Sequence, residues 1–547
     1  MFHLRRTSIL LFIGFLTLPQ FSEAGSGRLA VTHEFSDEVS ATLSDAHSMS
    51  DMVSGGLADT QMMSDEVSAT LTDTHELNAD VSTPLSDTPT PSNEVSGTLP
   101  VMHILTADGI PITSKQEYVN AVYWLDPMGT EGIKAVGSAD APLPLQIRGR
   151  GNYTWNSFQK KPYRLKLDEF QPLLGMNRSR HFALLAHADD KLAFLRNTVG
   201  FELSRRMGMP YTPAQQPLEV VLNGEYIGLY FLAETIRPEK HRLNITEQKN
   251  GEQNPDRITG GWLVEINNNR EDNQLDFSVD GTDLQWFWVT YHSPDSLSPL
   301  QRDYLFGQFQ AMLQAVYDPD KTSTDWEQLI DVHSLAQFYV IQEVLDHTEA
   351  FLGSCYLWKD LGEQRWKFGP VWDFGHAFNS SHSKSRFIYE QTPFPVSIIR
   401  EIARFPRFQQ EVRRVWSAFY PDSLNGIEQY MTDFLGTIAE AAKANAQHWP
   451  DYGNADVYAS AAPAFDRLRQ KVRWLNEQWK LPYPDDGQPQ ENSIRSVEAD
   501  PPSAAYYTLS GQLLASPPAR GLYIEAPRGS AAGRGKKFLK KNHSFLW

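Results

Sequence analysis

The chain has 547 residues, of which 41% are hydrophobic and 12% aromatic, and its formal net charge is -18. This composition is typical of a globular protein with a large core and excludes a wholly disordered chain. The acidic excess argues against nucleic-acid binding, which needs a basic face. The single cysteine, Cys355, excludes an internal disulfide, so stability rests on the core or on a bound metal.

Residues 1–24 have the pattern of a secretory signal peptide. Two arginines precede an apolar run at 9–18, and small residues follow it up to Ala24. The apolar run is too short to cross a bilayer comfortably. We therefore expect an exported protein, either secreted or held at the cell surface or in the periplasm. A buried N-terminal helix is the alternative.

Residues 25–100 repeat a fourteen-residue unit five times. A valine recurs every fourteen residues from Val39 to Val95, and a leucine follows each valine by four residues. With thirteen carboxylates against Arg28 alone, the segment carries 12 of the 18 net negative charges. Two aliphatic residues per unit cannot offset the entropy of ordering, which predicts a disordered stalk. The alternatives are that its dense Ser and Thr hydroxyls are acceptor sites, or that the units stack as a solenoid.

The globular part is predicted at 101–485 and begins with strands. Alternating patterns bounded by Gly, Pro and Asp predict strands at 104–112, 118–125 and 143–149. The run at 163–167 alternates apolar with basic residues and predicts a fourth strand with one cationic face.

Basic residues surround the third and fourth predicted strands. Arg148, Arg150 and Asn152 lie in a glycine-containing bend, where backbone N–H groups and two arginines can hold a phosphate or carboxylate. Lys161 and Lys166 follow, on a face that either is exposed to solvent or lines a phosphate pocket. An ordinary hairpin with surface arginines is the alternative for the bend.

Helical spacing of apolar residues predicts a helix at 192–207, capped by Asp189 and Asp190. Glu202 lies on this helix. It is predicted either to pair with a strand lysine and hold that cation against phosphates, or to pair with neighbouring arginines of its own helix.

Two β runs around Asn223-Gly224 predict a hairpin with a type I′ turn. The chain then passes through Glu234, a candidate ligand contact, into a polar connector that resembles a hinge between two lobes. Helices are predicted beyond it, at 300–316, 332–345, 396–419, 424–448 and 462–479. Strands first and helices later, joined by a hinge, predict a bilobal α+β domain with a strand-rich N-lobe and a helix-rich C-lobe.

Acidic residues stand at both ends of a hairpin predicted between 354 and 373. Asp346 and Glu349 precede it, and Asp373 ends it, followed by Phe-Gly. Carboxylates placed in this way can converge, with Glu349 or Asp346 accepting a proton from a hydroxyl and Asp373 holding a metal. Alternatively, Asp346 only ends its helix. A cationic strand together with Asp-Phe-Gly suggests a magnesium-bound triphosphate.

Eight stretches of this domain carry a resemblance to a known family. They are residues 148–155, 161–166, 195–203, 219–230, 232–236, 261–266, 356–360 and 368–374. In this order, the chain at about 145–379 resembles the CotH kinase family, the spore-coat-type atypical protein kinases.

The resemblance implies an exported kinase-like fold that uses ATP and a divalent metal such as Mg²⁺ to phosphorylate Ser or Thr of secreted or surface proteins. It implies that Asp373 is the metal ligand, that Lys166 contacts the phosphates and that Glu202 is its helix partner. Lys161 and Arg148 are further phosphate contacts. The protein substrate can include the chain's own repeats at 25–100.

The sequence departs from the family at two positions. The family has an Asp where this chain has Glu349, and an Asn where it has Ser354 and Cys355. A Glu reaches one methylene further, and loss of the Asn removes a second metal ligand. A catalytically inactive, kinase-like surface interaction protein is therefore the alternative to an active kinase.

Residues 492–547 are predicted to form a small β module with strands at 506–514, 520–524 and 535–540, the last of which is rich in basic residues. The segment resembles the C-terminal sorting domain of type IX bacterial secretion, although the end at 542–547 departs from the usual lysine-rich stop. This resemblance implies contact with secretion or anchoring machinery of an outer membrane.

Overall fold

The computed structural model describes residues 94–479, except 285, 393–396 and 425, together with four short strands between 504 and 540. The predicted signal peptide and the repeats up to residue 93 lie outside the described residues. The last repeat does not: Leu99 is buried, and Ser96 donates from its backbone and hydroxyl to the carboxylate of Glu219 at 2.7–3.0 Å. Residues 94–100 therefore belong to the folded part of the chain.

Seven strands close into a barrel. They are β1 (Val101–Thr106), β2 (Val119–Asp126), β3 (Leu143–Gly149), β4 (Tyr163–Gln171), β5 (Ser179–Leu185), β6 (Gln215–Leu222) and β7 (Glu225–Glu234). The order around the barrel is β1-β2-β3-β4-β5-β7-β6, and the parallel pair of β6 with β1 closes it. The sequence predicted most of these strands but not the closure, because Val101 pairs with Glu219 and no local pattern encodes so distant a contact.

Alternation along β3 and β4 decides which side chains face outward. Leu145 and Leu165 are buried inside the barrel, so their neighbours in sequence point to its outer face. Arg148 stands opposite Arg164 across the β3–β4 ladder. Lys166 lies two residues further along the same face.

The β6–β7 hairpin has the predicted turn. Asn223 and Gly224 have φ values of 52° and 86°, and two positive values in succession are what a type I′ turn requires. On the far side of β7, Leu229 and Phe231 face away from the barrel interior and pack into the core of the helices.

A second sheet follows the barrel in the chain. Its strands are β8 (Trp262–Asn267), β9 (Gln274–Phe277), β10 (Phe287–Ser293), β11 (Cys355–Lys359) and β12 (Lys367–Phe368), in the order β12-β11-β8-β10-β9. Their pairings are antiparallel.

Helices make up most of the remainder. They are α1 (Tyr153–Ser157), α2 (Leu195–Arg206), α3 (Pro299–Val316), α4 (Val332–Val344), α5 (Ile388–Gln391), α6 (Ile398–Ile402), α7 (Pro406–Ser423), α8 (Ile427–His448) and α9 (Val457–Gln478). Helix α4 is buried on nearly all sides, which fixes the turn that follows it. None of the helices described is long and apolar enough to cross a membrane.

Several predicted elements differ from the structure in their bounds or are divided; the strand predicted at 104–112, for example, is β1 and ends at Thr106. The helix predicted at 396–419 is two helices, α6 and α7, because Pro406 starts a new helix at its first position. Helix α9 begins before its predicted start because Asp456 caps it by accepting from the backbone of Tyr458 and Ala459, with Pro463 inside the helix. Near the C-terminus, β13 (Ala504–Tyr507), β14 (Leu513–Leu514), β15 (Gly521–Pro527) and β16 (Lys536–Lys540) form one sheet, so the first strand predicted there is two strands.

The barrel precedes most of the helices, and the second sheet takes its last two strands from beyond α3 and α4, so the mixed composition agrees with the predicted α+β class although strands and helices interleave along the chain. The barrel is the feature that the sequence did not reveal.

Candidate functional site

The outer face of β3 and β4 is strongly cationic. The Arg148 guanidinium lies 5.0 Å from the ring centre of Tyr118, and the Lys166 ammonium lies 5.9 Å from the same ring. Burial lowers the pKa of Arg164, and the neighbouring charges of Arg148 and Arg150 lower it further. Within the described part of the chain these four cations form no ion pair, and the buried Nε of Arg148 has no hydrogen-bond partner.

Arg150 joins this cationic face to residues 372–376, referred to below as the Asp373 segment. Its guanidinium lies 5.7 Å from the ring centre of Trp372. Burial lowers the pKa of Arg150, and the charge of Asp373 opposes that shift most strongly, followed by Tyr356 and Glu265 of the second sheet. The barrel, the second sheet and the Asp373 segment therefore meet at one guanidinium.

Two carboxylates, those of Asp189 and Asp373, both approach Gly375. A β-carbon at residue 375 would lie 3.4 Å from Oδ1 of Asp373 and 3.9 Å from Oδ2 of Asp189. Burial raises the pKa of Asp189 to about 6, and the negative charges of Asp190 and Asp373 raise it as well. Like charges held together in this way are stabilised by a cation between them.

These residues fit a metal that arrives with a phosphate ligand. Across the described residues there is no group of three or more His, Cys, Asp or Glu side chains arranged to hold a metal. Magnesium in nucleotide sites needs no such group, because one or two carboxylates are completed by phosphate oxygens and water. Asp373, the predicted metal ligand, and Asp189 together meet this requirement.

The bend after β3 offers side chains to an anion more than backbone. The N–H groups of Gly149 and Arg150 already donate to carbonyls of Ser114 and Pro162. Gly149 is required for packing, since a β-carbon there would lie 2.4 Å from the Trp155 ring. The backbone N–H groups of these two residues are therefore already engaged within the protein, in contrast to the predicted contacts with an anion.

Two other predicted contacts in this region are engaged by the protein. Asn152 accepts a hydrogen bond from Lys115 at 2.8 Å, and Lys161 donates to the carbonyl of Trp155 at 2.6 Å. Both residues therefore shape the bend beside the cationic face.

Glu349 lies beside the Asp373 segment. Its carboxylate is 3.1 Å from Nε2 of His376, which follows Asp373 by three residues, and its side chain is 28% exposed. The structure thus places one of the two predicted proton acceptors, partly exposed, beside a histidine three residues after the predicted metal ligand.

Asp346 has a different environment. It is fully buried, and its carboxylate is 2.6 Å from Arg467 and 3.3 Å from Lys471 of α9. Lys471 also pairs with the buried Glu343 at 2.6 Å. A carboxylate held by two cations inside the core cannot reach a hydroxyl of another protein, which favours the alternative that Asp346 only ends its helix.

The two remaining predicted residues also have local partners. Glu202 pairs with Arg205 at 3.1 Å and Arg206 at 2.7 Å on its own helix, which is the alternative pairing that the sequence left open. Glu234 is buried, burial raises its pKa, and its carboxylate accepts from the Tyr211 hydroxyl at 3.1 Å. No contact links Glu202 to Lys166 in the described structure.

Asp189 lies near Asp373, although the sequence did not indicate it as a site residue. The helical pattern predicts that both Asp189 and Asp190 cap the helix. In the structure Asp190 alone serves the helix start, accepting from the backbone of Leu192 and Arg196, and Asp189 approaches Gly375 beside Asp373. Two adjacent carboxylates where one cap suffices are the signal that could have revealed this position.

The comparison with protein families covers the region that holds these residues. The family model described as CotH kinase protein matches residues 147–477, which is more than half of the chain and contains the cationic face, Asp189, Glu349 and Asp373. No curated protein matches the chain. The chain therefore belongs to the CotH kinase family.

Proposed function

We propose that the protein is an exported protein kinase that transfers the γ-phosphoryl group of ATP to Ser or Thr of a secreted or surface protein. The observation that carries this proposal is the position of Arg150. It connects cations that have no carboxylate partner with the neighbouring carboxylates Asp189 and Asp373. A triphosphate with a divalent cation complements both halves of such a site.

Each half of the site has its own role. Arg148, Arg150 and Arg164, with Lys166 beside them, bind the phosphate oxygens through charge-assisted hydrogen bonds. Asp373 and Asp189 would hold Mg²⁺, which would supply positive charge where negative charge accumulates on the transferred phosphoryl group.

Glu349 is the proposed proton acceptor. Its carboxylate takes the proton of the attacking Ser or Thr hydroxyl as the new oxygen–phosphorus bond forms, and the bond from the γ-phosphorus to ADP breaks. The ring of His376 holds this carboxylate beside the Asp373 segment.

The proposed organisation follows from these roles. The barrel acts as the N-lobe and the second sheet with the helices acts as the C-lobe, so that substrates bind where the two meet. A signal peptide at 1–24 directs export, and the C-terminal segment at 492–547 contacts secretion or anchoring machinery at an outer membrane.

The proposed acceptors include the chain's own acidic repeats, predicted at 25–100 and dense in Ser and Thr, in their part before the folded residues 94–100. Each added phosphate contributes nearly two negative charges. Peptide masses from protein incubated with ATP and Mg²⁺ should show added phosphate within this segment. Peptide masses without phosphate between residues 25 and 93, from protein that phosphorylates another substrate, would exclude the repeats as acceptors.

The experiment that tests the proposal measures phosphate transfer from γ-labelled ATP by purified protein with Mg²⁺. Asp373→Ala is expected to abolish transfer. Asp303→Ala, which removes an exposed carboxylate from α3 far along the chain from the site, is the matched control and should keep wild-type transfer. Wild-type protein that neither binds ATP nor transfers phosphate would contradict the proposal.

A binding protein without turnover is the second candidate. Ser354 stands where the family has an Asn, and its φ of 51° places it in a left-handed conformation at the start of β11. A serine there supplies no amide oxygen to a second metal ion. Binding of ATP with Mg²⁺ but no transfer to any Ser or Thr peptide or to the repeats would favour this candidate.

A further inference from the structure

One face of helix α2 holds the segment that carries Asp373. Asn197, Gly200 and Phe201 are three and four residues apart and therefore share that face. The backbone N–H of Phe374 donates to Oδ1 of Asn197 at 2.8 Å inside the core. A β-carbon at residue 200 would lie 2.2 Å from the Phe374 ring, so the helix approaches this closely only because residue 200 is glycine.

The aromatic rings on both sides of Asp373 are also fixed by α2. The Phe201 ring centre lies 6.1 Å from that of Phe374 and 5.7 Å from that of Trp372. Between these anchored rings Asp373 has a φ of 55°. A non-glycine residue keeps such a left-handed conformation only where its surroundings impose it.

The start of the same helix fixes the other carboxylate. Asp190 accepts hydrogen bonds from the N–H groups of Leu192 at 2.9 Å and Arg196 at 3.2 Å. The side-chain amide of Asn454 donates to the carbonyl of Asp190 at 2.7 Å. Asp189, the preceding residue, is therefore tied to one end of α2 while Asp373 is tied to its middle.

We propose that Asn197 is a positioning residue that keeps Asp373 at the separation from Asp189 needed to hold a divalent cation with nucleotide phosphates. This role rests on the proposed function. Because Asn197 binds the main chain of residue 374, it fixes the direction in which the Asp373 side chain leaves the backbone. The predicted Glu202 is not needed for this role, although it lies on the same helix.

The test measures ATP affinity by calorimetry with and without Mg²⁺ in the purified protein. Asn197→Leu removes the hydrogen-bond acceptor at similar side-chain volume. We expect the factor by which Mg²⁺ raises ATP affinity to be about tenfold smaller in this variant than in the wild type. Its affinity for ATP without Mg²⁺ should stay unchanged, because the arginines are intact. Asn197→Asp retains an acceptor oxygen and should keep most of the Mg²⁺-dependent increase.

Thr198→Val is the matched control. Thr198 is a buried neighbour on α2, and its hydroxyl donates to the carbonyl of Phe194 at 2.8 Å without touching the Asp373 segment. Thr198→Val should lower the free energy of unfolding about as much as Asn197→Leu does. Mg²⁺ should still raise its ATP affinity by the full wild-type factor. Should Asn197→Leu fail to fold, Gly200→Ala displaces the same ring and is expected to reduce that factor.

Hydrogen exchange of the peptide that spans residues 372–376 is the second measurement, made without nucleotide. Asn197→Leu should speed exchange there and Thr198→Val should not. The inference is wrong if Asn197→Leu exchanges like the wild type and Mg²⁺ raises its ATP affinity as much as in the wild type, while Asp373→Ala loses that Mg²⁺-dependent increase. The proposed function would still stand in that case. Wild-type protein that gains no ATP affinity from Mg²⁺ would overturn both.

Discussion

Two clusters of charged side chains in this protein are balanced in opposite ways. At the end of α4, the buried Glu343 and Asp346 are matched by Arg467 and Lys471, with separations of 2.6 to 3.3 Å. On the barrel, Arg148, Arg150 and Arg164 lie together without an ion pair in the described structure. The first cluster is complete within the chain, and the second is not.

We propose that this difference separates charges that stabilise the fold from charges that bind a ligand. A buried ion pair compensates the cost of removing its members from water only while both partners are present. Repulsion between cations that lack carboxylate partners raises the free energy of the ligand-free protein. Binding of an anion removes this repulsion. The same criterion distinguishes Asp346, which is paired, from Asp189 and Asp373, which lie near each other.

Lys471→Met should have the largest effect on stability. Without the ammonium, Glu343 and Asp346 share a core with one cation fewer, and removing one partner of a buried pair costs about 3–5 kcal/mol. Urea denaturation followed by circular dichroism measures the free energy of unfolding.

Arg164→Met is the contrasting variant from the cationic face. It removes a half-buried cation without a carboxylate partner, so the free energy of unfolding should change by less than about 1 kcal/mol or rise. Equal losses in Lys471→Met and Arg164→Met would show that the two clusters do not differ in the way proposed.

Arg150→Met should have the largest effect on ligand binding. A charge-assisted hydrogen bond contributes about 1.5–3 kcal/mol, so ATP affinity should fall about 10- to 100-fold while the fold stays intact. Calorimetric titration with ATP and Mg²⁺ measures the affinity. Arg205→Met, which removes an exposed arginine of α2, is the control and should bind ATP like the wild type. An unchanged affinity in Arg150→Met would remove the central residue of the proposed site.

The sequence predicted the local elements of the fold better than their arrangement. Strand β3 and the β6–β7 hairpin follow from alternation and from Asn223-Gly224. Strand β5 was not predicted, because its last four residues are all buried and show no alternation. Barrel closure depends on the pairing of β1 with β6, which lies beyond the reach of any local pattern.

The sequence predicted only part of the site, because the contacts between distant parts of the chain that complete it leave no local pattern. Arg148, Arg150 and Asp373 stand out because their types and neighbours suit a nucleotide site. The distinction between Asp189 and Asp190, or between Glu349 and Asp346, depends on which partners the fold brings near each carboxylate. Sequence distance hides those partners, since Arg467 and Lys471 lie more than a hundred residues from Asp346.

Asp189→Asn should make stability less dependent on pH. The pKa of Asp189 is raised from 3.8 to about 6 in the folded protein, so the wild type loses stability as pH rises between these values. The shift corresponds to about 3 kcal/mol at most, and solvent screening reduces it. Thermal unfolding without metal should show the variant more stable than the wild type at pH 7 and equal to it below pH 4.

The same carboxylate should control metal binding. Below about pH 6 Asp189 becomes protonated, so the gain in ATP affinity from Mg²⁺ should decline in the wild type. Asp189→Asn should show a small gain at every pH. Asp189 would lie outside the site if Asp189→Asn were no more stable than the wild type at pH 7 and Mg²⁺ still raised its ATP affinity by the full wild-type factor.

Glu202→Gln should have the smallest effect. Its partners Arg205 and Arg206 lie on the same helix, and pairs of this kind contribute about 0.3–0.5 kcal/mol. The free energy of unfolding should therefore fall by no more than that, and ATP affinity should stay at the wild-type value because no contact joins Glu202 to the cationic face. A tenfold loss of ATP affinity would instead mean that α2 shifts when nucleotide binds and brings Glu202 to Lys166. In that case the balance of charges in the free protein would not be enough to tell ligand-binding residues from structural ones.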